Sequence, residues 1–101
     1  MQELQVNKEN CFSVLMAVYK KEQPLFFKEA LRSVFEQSLI PNEVVLVKDG
    51  PLTEELEQII VDFSSKNEQL KVITLEKNQG LGEALRIGLN ACSFDLVARM
   101  D

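Results

Sequence analysis

Residues 44–50 read VVLVKDG and residues 94–101 read FDLVARMD. Each is a short apolar run closed by an acidic residue, Asp49 in the first and Asp101 in the second. Strands buried in parallel sheets are apolar along their length rather than alternating. Their carboxyl ends form the rim at which open α/β sheets bind ligands. Acidic residues at such a rim point to nucleotide and metal chemistry.

Two further apolar runs complete the pattern, FSVLMAVY at residues 12–19 and LKVITL at residues 70–75. The four strands expected are therefore Phe12 to Tyr19, Val44 to Val47, Leu70 to Leu75 and Leu96 to Met100. The third alternates most and reads as an edge strand. Helical periodicity fills the gaps. A first helix is expected from Pro24, a residue suited to a first turn, with Phe27, Leu31, Val34 and Phe35 as its apolar stripe. A second is expected after Thr53, a good N-cap, with Glu54 and Glu55 at its positive end and Leu56, Ile59, Ile60 and Phe63 facing inward. A third carries Leu81, Ala84, Leu85, Gly88, Leu89 and Cys92 on one face. There Gly88 is expected to let the helix approach the sheet closely. Strands alternating with helices at this spacing imply right-handed crossovers. The fold class is α/β, a three-layer α/β/α arrangement around a parallel sheet of four strands in the order 3-2-1-4.

The bulk properties suit this reading. The chain has 101 residues, 46% of them hydrophobic and 27% charged, with a formal net charge of −5. An acidic chain without a basic face argues against nucleic-acid binding. The absence of histidine rules out Ser-His and Cys-His catalysis within this chain. Any metal must then be held by oxygen, which selects a hard ion such as Mg²⁺ or Mn²⁺. The two cysteines, Cys11 and Cys92, lack the spacing of a zinc site or a disulfide framework. The polar opening MQELQVNKEN is unlike a signal peptide, and no apolar run approaches the ~20 residues that cross a bilayer. A cytoplasmic location is expected, with membrane association open for a longer parent protein.

In the order 3-2-1-4 the switch point lies between strands 1 and 4. Ala17, Val18 and Tyr19 would then form a floor with Asp49 on one flank and Asp101 on the other. Asp49 could accept the imide N–H of a nucleobase, and Tyr19 could stack on the base or bond the ribose. Asp101 would face the phosphate end, where a divalent ion could bridge carboxylate and pyrophosphate. Lys20, Lys21, Lys48, Lys77 and Arg99 all fall at or beyond strand carboxyl ends, which suits an anionic ligand. Each feature also has a plain reading. Asp-Gly after a strand is most often a turn, Tyr19 can cap a core, and rim lysines can be solvated. The glycines of NQGLGEAL, Gly80 and Gly82, are a weak phosphate-loop signal without the third glycine.

Taken in order, four segments resemble the family 2 glycosyltransferases of the GT-A fold. SVLMAVYKKE resembles the family's opening SVIMPVYN, and LRSVFEQSLIPNEVVLVKDG its SILNQTYxxxEIIVVDDGS. NQGLGEALRIGLNAC resembles NxGxxxARNxGL, and LVARMD the strand that leads into the DxD metal motif. The likeness is collinear from about Phe12 to Asp101. It implies transfer of a sugar from a nucleotide-sugar donor, often UDP-linked, to a glycan acceptor with inversion at the anomeric carbon. It implies nucleoside contacts at Ala17 and Tyr19 and base recognition by Asp49. Val18 and Arg99 are expected at the nucleotide site from their places at the same strand ends. Asp101 corresponds to the first aspartate of DxD, with Mg²⁺ or Mn²⁺ as the parent enzyme's cofactor. Lys48 replaces the first aspartate of DDG, and Arg86 stands where the family often has asparagine.

The resemblance divides the chain into a polar lead, residues 1–11, and the donor-nucleotide half of a GT-A domain, residues 12–101, ending inside the metal motif. On that reading the catalytic base lies outside this chain and the 101 residues alone are inactive. Competing readings are a flavodoxin- or receiver-like binding module, a non-catalytic module dimerising through strand 4, and a nucleotidyltransferase. The receiver reading lacks its paired acids after strand 1, where Tyr19-Lys20-Lys21 stands. The nucleotidyltransferase lacks its glycine-rich opening turn.

Overall fold

The computed structural model describes residues 11–100. Seven elements alternate: β1 (Ser13–Val18), α1 (Pro24–Glu36), β2 (Glu43–Lys48), α2 (Glu54–Ser64), β3 (Leu70–Thr74), α3 (Leu81–Ala91) and β4 (Val97–Arg99). The strands form one sheet in the order β3-β2-β1-β4, and all three pairings are parallel. Fold class, strand order and the edge position of β3 agree with the sequence expectation.

The period-2 alternation of the central strands sorts their side chains onto two faces. Val14, Met16, Val18, Val44 and Leu46 meet Phe27, Leu31 and Val34 of α1 and Leu56 and Ile60 of α2. Phe35 and Phe63 stack across α1 and α2 with ring centroids 6.0 Å apart. On the opposite face Leu15, Val45 and Val47 meet Ala84 of α3. Two helices on one face and one on the other make the three layers. Local signals act as read: Pro24 occupies the first turn of α1, and the Thr53 hydroxyl accepts the Leu56 N–H at 3.2 Å.

The face of α3 that touches the sheet is narrower than its sequence stripe. A Cβ placed on Gly88 would lie 2.4 Å from Leu15 Cδ1 and 2.8 Å from Val47 Cγ2, so this glycine sets the approach of helix to sheet. Leu81 and Leu89, expected on the buried stripe, are exposed. The helix seats through its small residues Ala84 and Gly88, which leaves the flanking leucines beyond the contact strip.

Strand β2 starts one residue earlier than expected, at Glu43, whose side chain is buried. It lies at the amino-terminal end of the sheet, opposite in register to Ser13. Its carboxylate accepts the Ser13 hydroxyl at 2.6 Å, the Ser93 N–H at 2.7 Å and the Ser93 hydroxyl at 2.9 Å. It also pairs with the Lys71 ammonium. Burial alone would raise the Glu43 pKa. The hydrogen bonds from Lys71, Ser13 and Ser93 outweigh that and hold it at about 2. A charged group thus ties β1, β2, β3 and the α3–β4 loop together at the end of the sheet remote from the ligand rim.

Candidate functional site

At the carboxyl ends of β1, β2 and β4 a cleft of about 440 Å³ opens. Ala17, Val18, Tyr19, Asp49 and Arg99, drawn from three separate strand ends, all line it. The topology explains the meeting. β1 lies between β2 and β4, so its end forms the floor between theirs. Tyr19 is the first residue after β1 and is exposed. Arg99 is the last residue of β4 and pairs in register with Leu15. Asp101, the expected metal ligand, lies outside the described residues.

Asp49 is held more firmly than a turn residue needs to be. Its main-chain N–H donates to Val18 O at 2.8 Å, which ties the end of β2 to the end of β1. Its carboxylate accepts the N–H of Gln79 at 2.7 Å and of Gly80 at 3.1 Å, and the Asn78 side chain donates to its carbonyl at 3.2 Å. The side chain therefore anchors the 77–80 loop and the start of α3, which form one wall of the cleft. An ionised carboxylate has about four lone-pair sites, so each oxygen keeps capacity for a ligand N–H.

Gly50 makes the same junction possible. Its φ is +91°, and a Cβ there would lie 2.6 Å from the Asn78 backbone nitrogen. The turn reading and the site reading of Asp49-Gly50 thus coincide: the turn packs directly on the loop that walls the cleft.

Five lining residues carry no binding expectation from sequence, Glu22, Asn78, Leu81, Leu85 and Met100, and a sixth, Gly80, carries only the weak phosphate-loop signal. Leu81 and Leu85 give the cleft an apolar wall, and Glu22 adds a carboxylate near Tyr19. A signal for Asn78 and Gly80 did exist, since NQG follows β3 and so falls on the carboxyl rim.

The rim cations divide. Lys48 Nζ bonds Glu57 of α2 at 2.8 Å and is not among the cleft-lining residues. Strand parity explains this, because Lys48 shares its face with Val44 and Leu46, the face covered by α1 and α2. Lys20, Lys21 and Lys77 are exposed and also lie off the cleft lining. Arg86 pairs with Glu83 on the surface of α3.

The described residues contain no group of three or more His, Cys, Asp or Glu side chains able to hold a metal ion. Within the cleft the carboxylates are Asp49 and Glu22 alone among the described residues. These residues do not make up a donor set for the expected Mg²⁺ or Mn²⁺. No helix among the described residues is long and apolar enough to cross a membrane.

Comparison with known proteins agrees with this architecture. The family model for Glycosyl transferase family 2 matches residues 13–101. The chain is 50% identical over 90 residues to UDP-Gal:alpha-D-GlcNAc-diphosphoundecaprenol beta-1,3-galactosyltransferase of Escherichia coli, covering 89% of this chain and 32% of that protein. It is 43% identical over 90 residues to the amylovoran biosynthesis glycosyltransferase AmsE of Erwinia amylovora, covering 89% and 34%. Among solved structures, S. aureus TarS superposes with a TM-score of 0.72 at 30% identity, covering 90% of this chain and 16% of that one. The mannosyltransferase PcManGT from Pyrobaculum calidifontis, solved with GDP-Man and Mn²⁺, superposes with a TM-score of 0.70 at 23% identity, covering 85% and 25%. The chain spans about a third of the length of the curated relatives it matches.

Proposed function

The chain belongs to glycosyl transferase family 2, and from that premise we propose that its rim cleft binds the nucleoside diphosphate of a sugar donor, UDP by preference. The parent reaction is inverting transfer of the sugar to a glycan acceptor. The observation that carries this reading is the convergence of Ala17, Val18, Tyr19, Asp49 and Arg99 on one cleft.

Each residue has a task matched to its chemistry. Tyr19 stacks on the base. Asp49, oriented by the N–H groups of Gln79 and Gly80, accepts the imide N–H of uracil. Ala17 leaves room above the floor for the nucleoside, and Val18 closes the floor beneath it. Leu81 and Leu85 keep water from the base side, which strengthens the polar contacts inside. Glu22 accepts ribose hydroxyls, and Arg99 meets the diphosphate as a charge-assisted donor. Asp101 would be the ligand this chain offers to a divalent ion, whose positive charge would be its contribution at the diphosphate. The base that deprotonates the acceptor hydroxyl is not assigned to any described residue.

For the acceptor, the E. coli relative is named for a sugar carried on diphosphoundecaprenol. We take the same chemical class here, a sugar on a lipid-linked diphosphate, with the chain working from the cytoplasmic side.

Tyr19→Ala tests the donor reading. Base–aromatic stacking contributes about 1–3 kcal/mol, so calorimetric titration with UDP should show affinity about fivefold weaker or worse. Tyr19 is exposed, so the fold should be unaffected. UDP affinity equal to that of the parent chain would reject the assignment.

A further inference from the structure

Beside the cleft mouth, the turn after β1 and the first turn of α1 present apolar and cationic side chains together. Leu25 and Phe26 are 64% and 65% exposed, although α1 buries Phe27, Leu31 and Val34. Lys20 and Lys21 occupy the turn closed by the Glu22 N–H to Tyr19 O bond at 3.0 Å, and Lys28 lies one turn into the helix. All three lysines are exposed, and no ion pair among the described residues involves them. Glu22, which lines the cleft beside them, offsets one of the three charges, and Glu29 is paired with Arg32. Glu36 and Asp62 share with Lys28 the groove between α1 and α2, which also holds Arg32 and Lys66. The patch is therefore locally positive on a chain whose formal net charge is −5.

We propose that Lys20, Lys21, Leu25, Phe26 and Lys28 seat the chain on an anionic lipid surface with the cleft mouth at the bilayer. An exposed Leu-Phe pair can enter the boundary between headgroups and acyl chains. Lysines beside it attract anionic headgroups within a Debye length. Tyr19 and Glu22 border the patch and line the cleft, so this seating brings the donor site to the plane in which a lipid-linked acceptor diffuses. The inference rests on the lipid-linked acceptor proposed above.

Co-sedimentation of the chain with vesicles tests it. The chain should pellet with vesicles of phosphatidylglycerol and phosphatidylethanolamine, pellet far less with phosphatidylcholine alone, and be released by salt. The double variants Lys20→Glu/Lys21→Glu and Leu25→Ser/Phe26→Ser should each partition about tenfold more weakly or worse. Both should keep the parent's circular dichroism, since all four positions are on the surface.

Failure to pellet with anionic vesicles, or unchanged partitioning of either double variant, would overturn the proposal. A concentration-dependent dimer that dissolves on Leu25→Ser/Phe26→Ser would also overturn it and assign the patch to a second copy of the chain. Titrating the same proteins with UDP separates the two readings. Normal UDP binding without vesicle binding removes the lipid surface alone. Vesicle binding without UDP binding upholds the patch and removes the donor site.

Discussion

Glu43→Ala should lower the unfolding free energy by about 3 kcal/mol at neutral pH, read as a shift in the urea midpoint with little change in slope. The change leaves the buried Ser13 hydroxyl without its acceptor, and such an orphaned group costs about 1–3 kcal/mol. The N–H of the exposed Ser93 also loses its partner. The exposed Lys71 ammonium can return to water, which limits the loss. Linkage gives a similar figure. A fall in pKa from 4.5 to about 2 corresponds to about 3 kcal/mol at roughly 1.4 kcal/mol per unit. The sign follows from a depressed folded-state pKa. The contribution is complete above the unfolded pKa and is lost as pH falls through the folded one. The gap between parent and variant should therefore be constant above about pH 4.5 and shrink between there and about pH 2. A gap that does not close over that window would mean that Glu43 acts through packing rather than through its charge.

Gly50→Ala should have an effect of similar size, about 2–4 kcal/mol, because two penalties combine. The added Cβ meets the Asn78 backbone nitrogen at 2.6 Å, an overpacking contact with main chain that no rotamer change can relieve. The φ of +91° also strains any residue with a side chain. Relief requires the 77–80 loop to withdraw from the end of β2. The Asp49 carboxylate would then lose the Gln79 and Gly80 N–H groups that orient it. UDP affinity should thus fall along with the urea midpoint. Gly82→Ala is the matched control. A Cβ there meets nothing within 4 Å, and alanine favours the helix, so stability should hold or rise slightly. Equal behaviour of the two variants would refute the junction described at Gly50.

Much of this architecture is legible in the sequence because parallel strands covered by helices leave unbroken apolar runs, and β1 and β2 are such strands. The close approach at Gly88 is legible for a related reason: a glycine in the middle of an apolar helical stripe weakens the helix unless something needs the space. The rim residues follow from strand ends and strand order together. What escapes is whatever depends on partners far apart in the chain. Glu43 looks like a solvated residue before a strand, and only Ser13, Lys71 and Ser93, from three distant segments, make its burial possible. Lys48 is different, since its direction was readable. Counted by twos from Val44 and Leu46, it faces α2 rather than the ligand, whereas grouping cations by rim position alone placed it with Arg99. The exposure of Leu81 and Leu89 depends on how narrow a strip of α3 seats on the sheet, which periodicity does not specify.

The central claim is that the cleft at the ends of β1, β2 and β4 receives a nucleoside diphosphate. Titrating the isotopically labelled chain with UDP and following its backbone amides tests this most directly. Shifts should concentrate at Ala17, Val18, Tyr19, Asp49 and Arg99 and extend to Gln79 and Gly80, whose N–H groups hold the Asp49 carboxylate. Uridine alone should reproduce the changes near Tyr19 and Asp49 and leave Arg99 unmoved. Amides that stay still around Tyr19 and Asp49 at millimolar UDP, or that shift instead in the groove lined by Lys28 and Arg32 of α1 and Ile59 and Asp62 of α2, would contradict the claim.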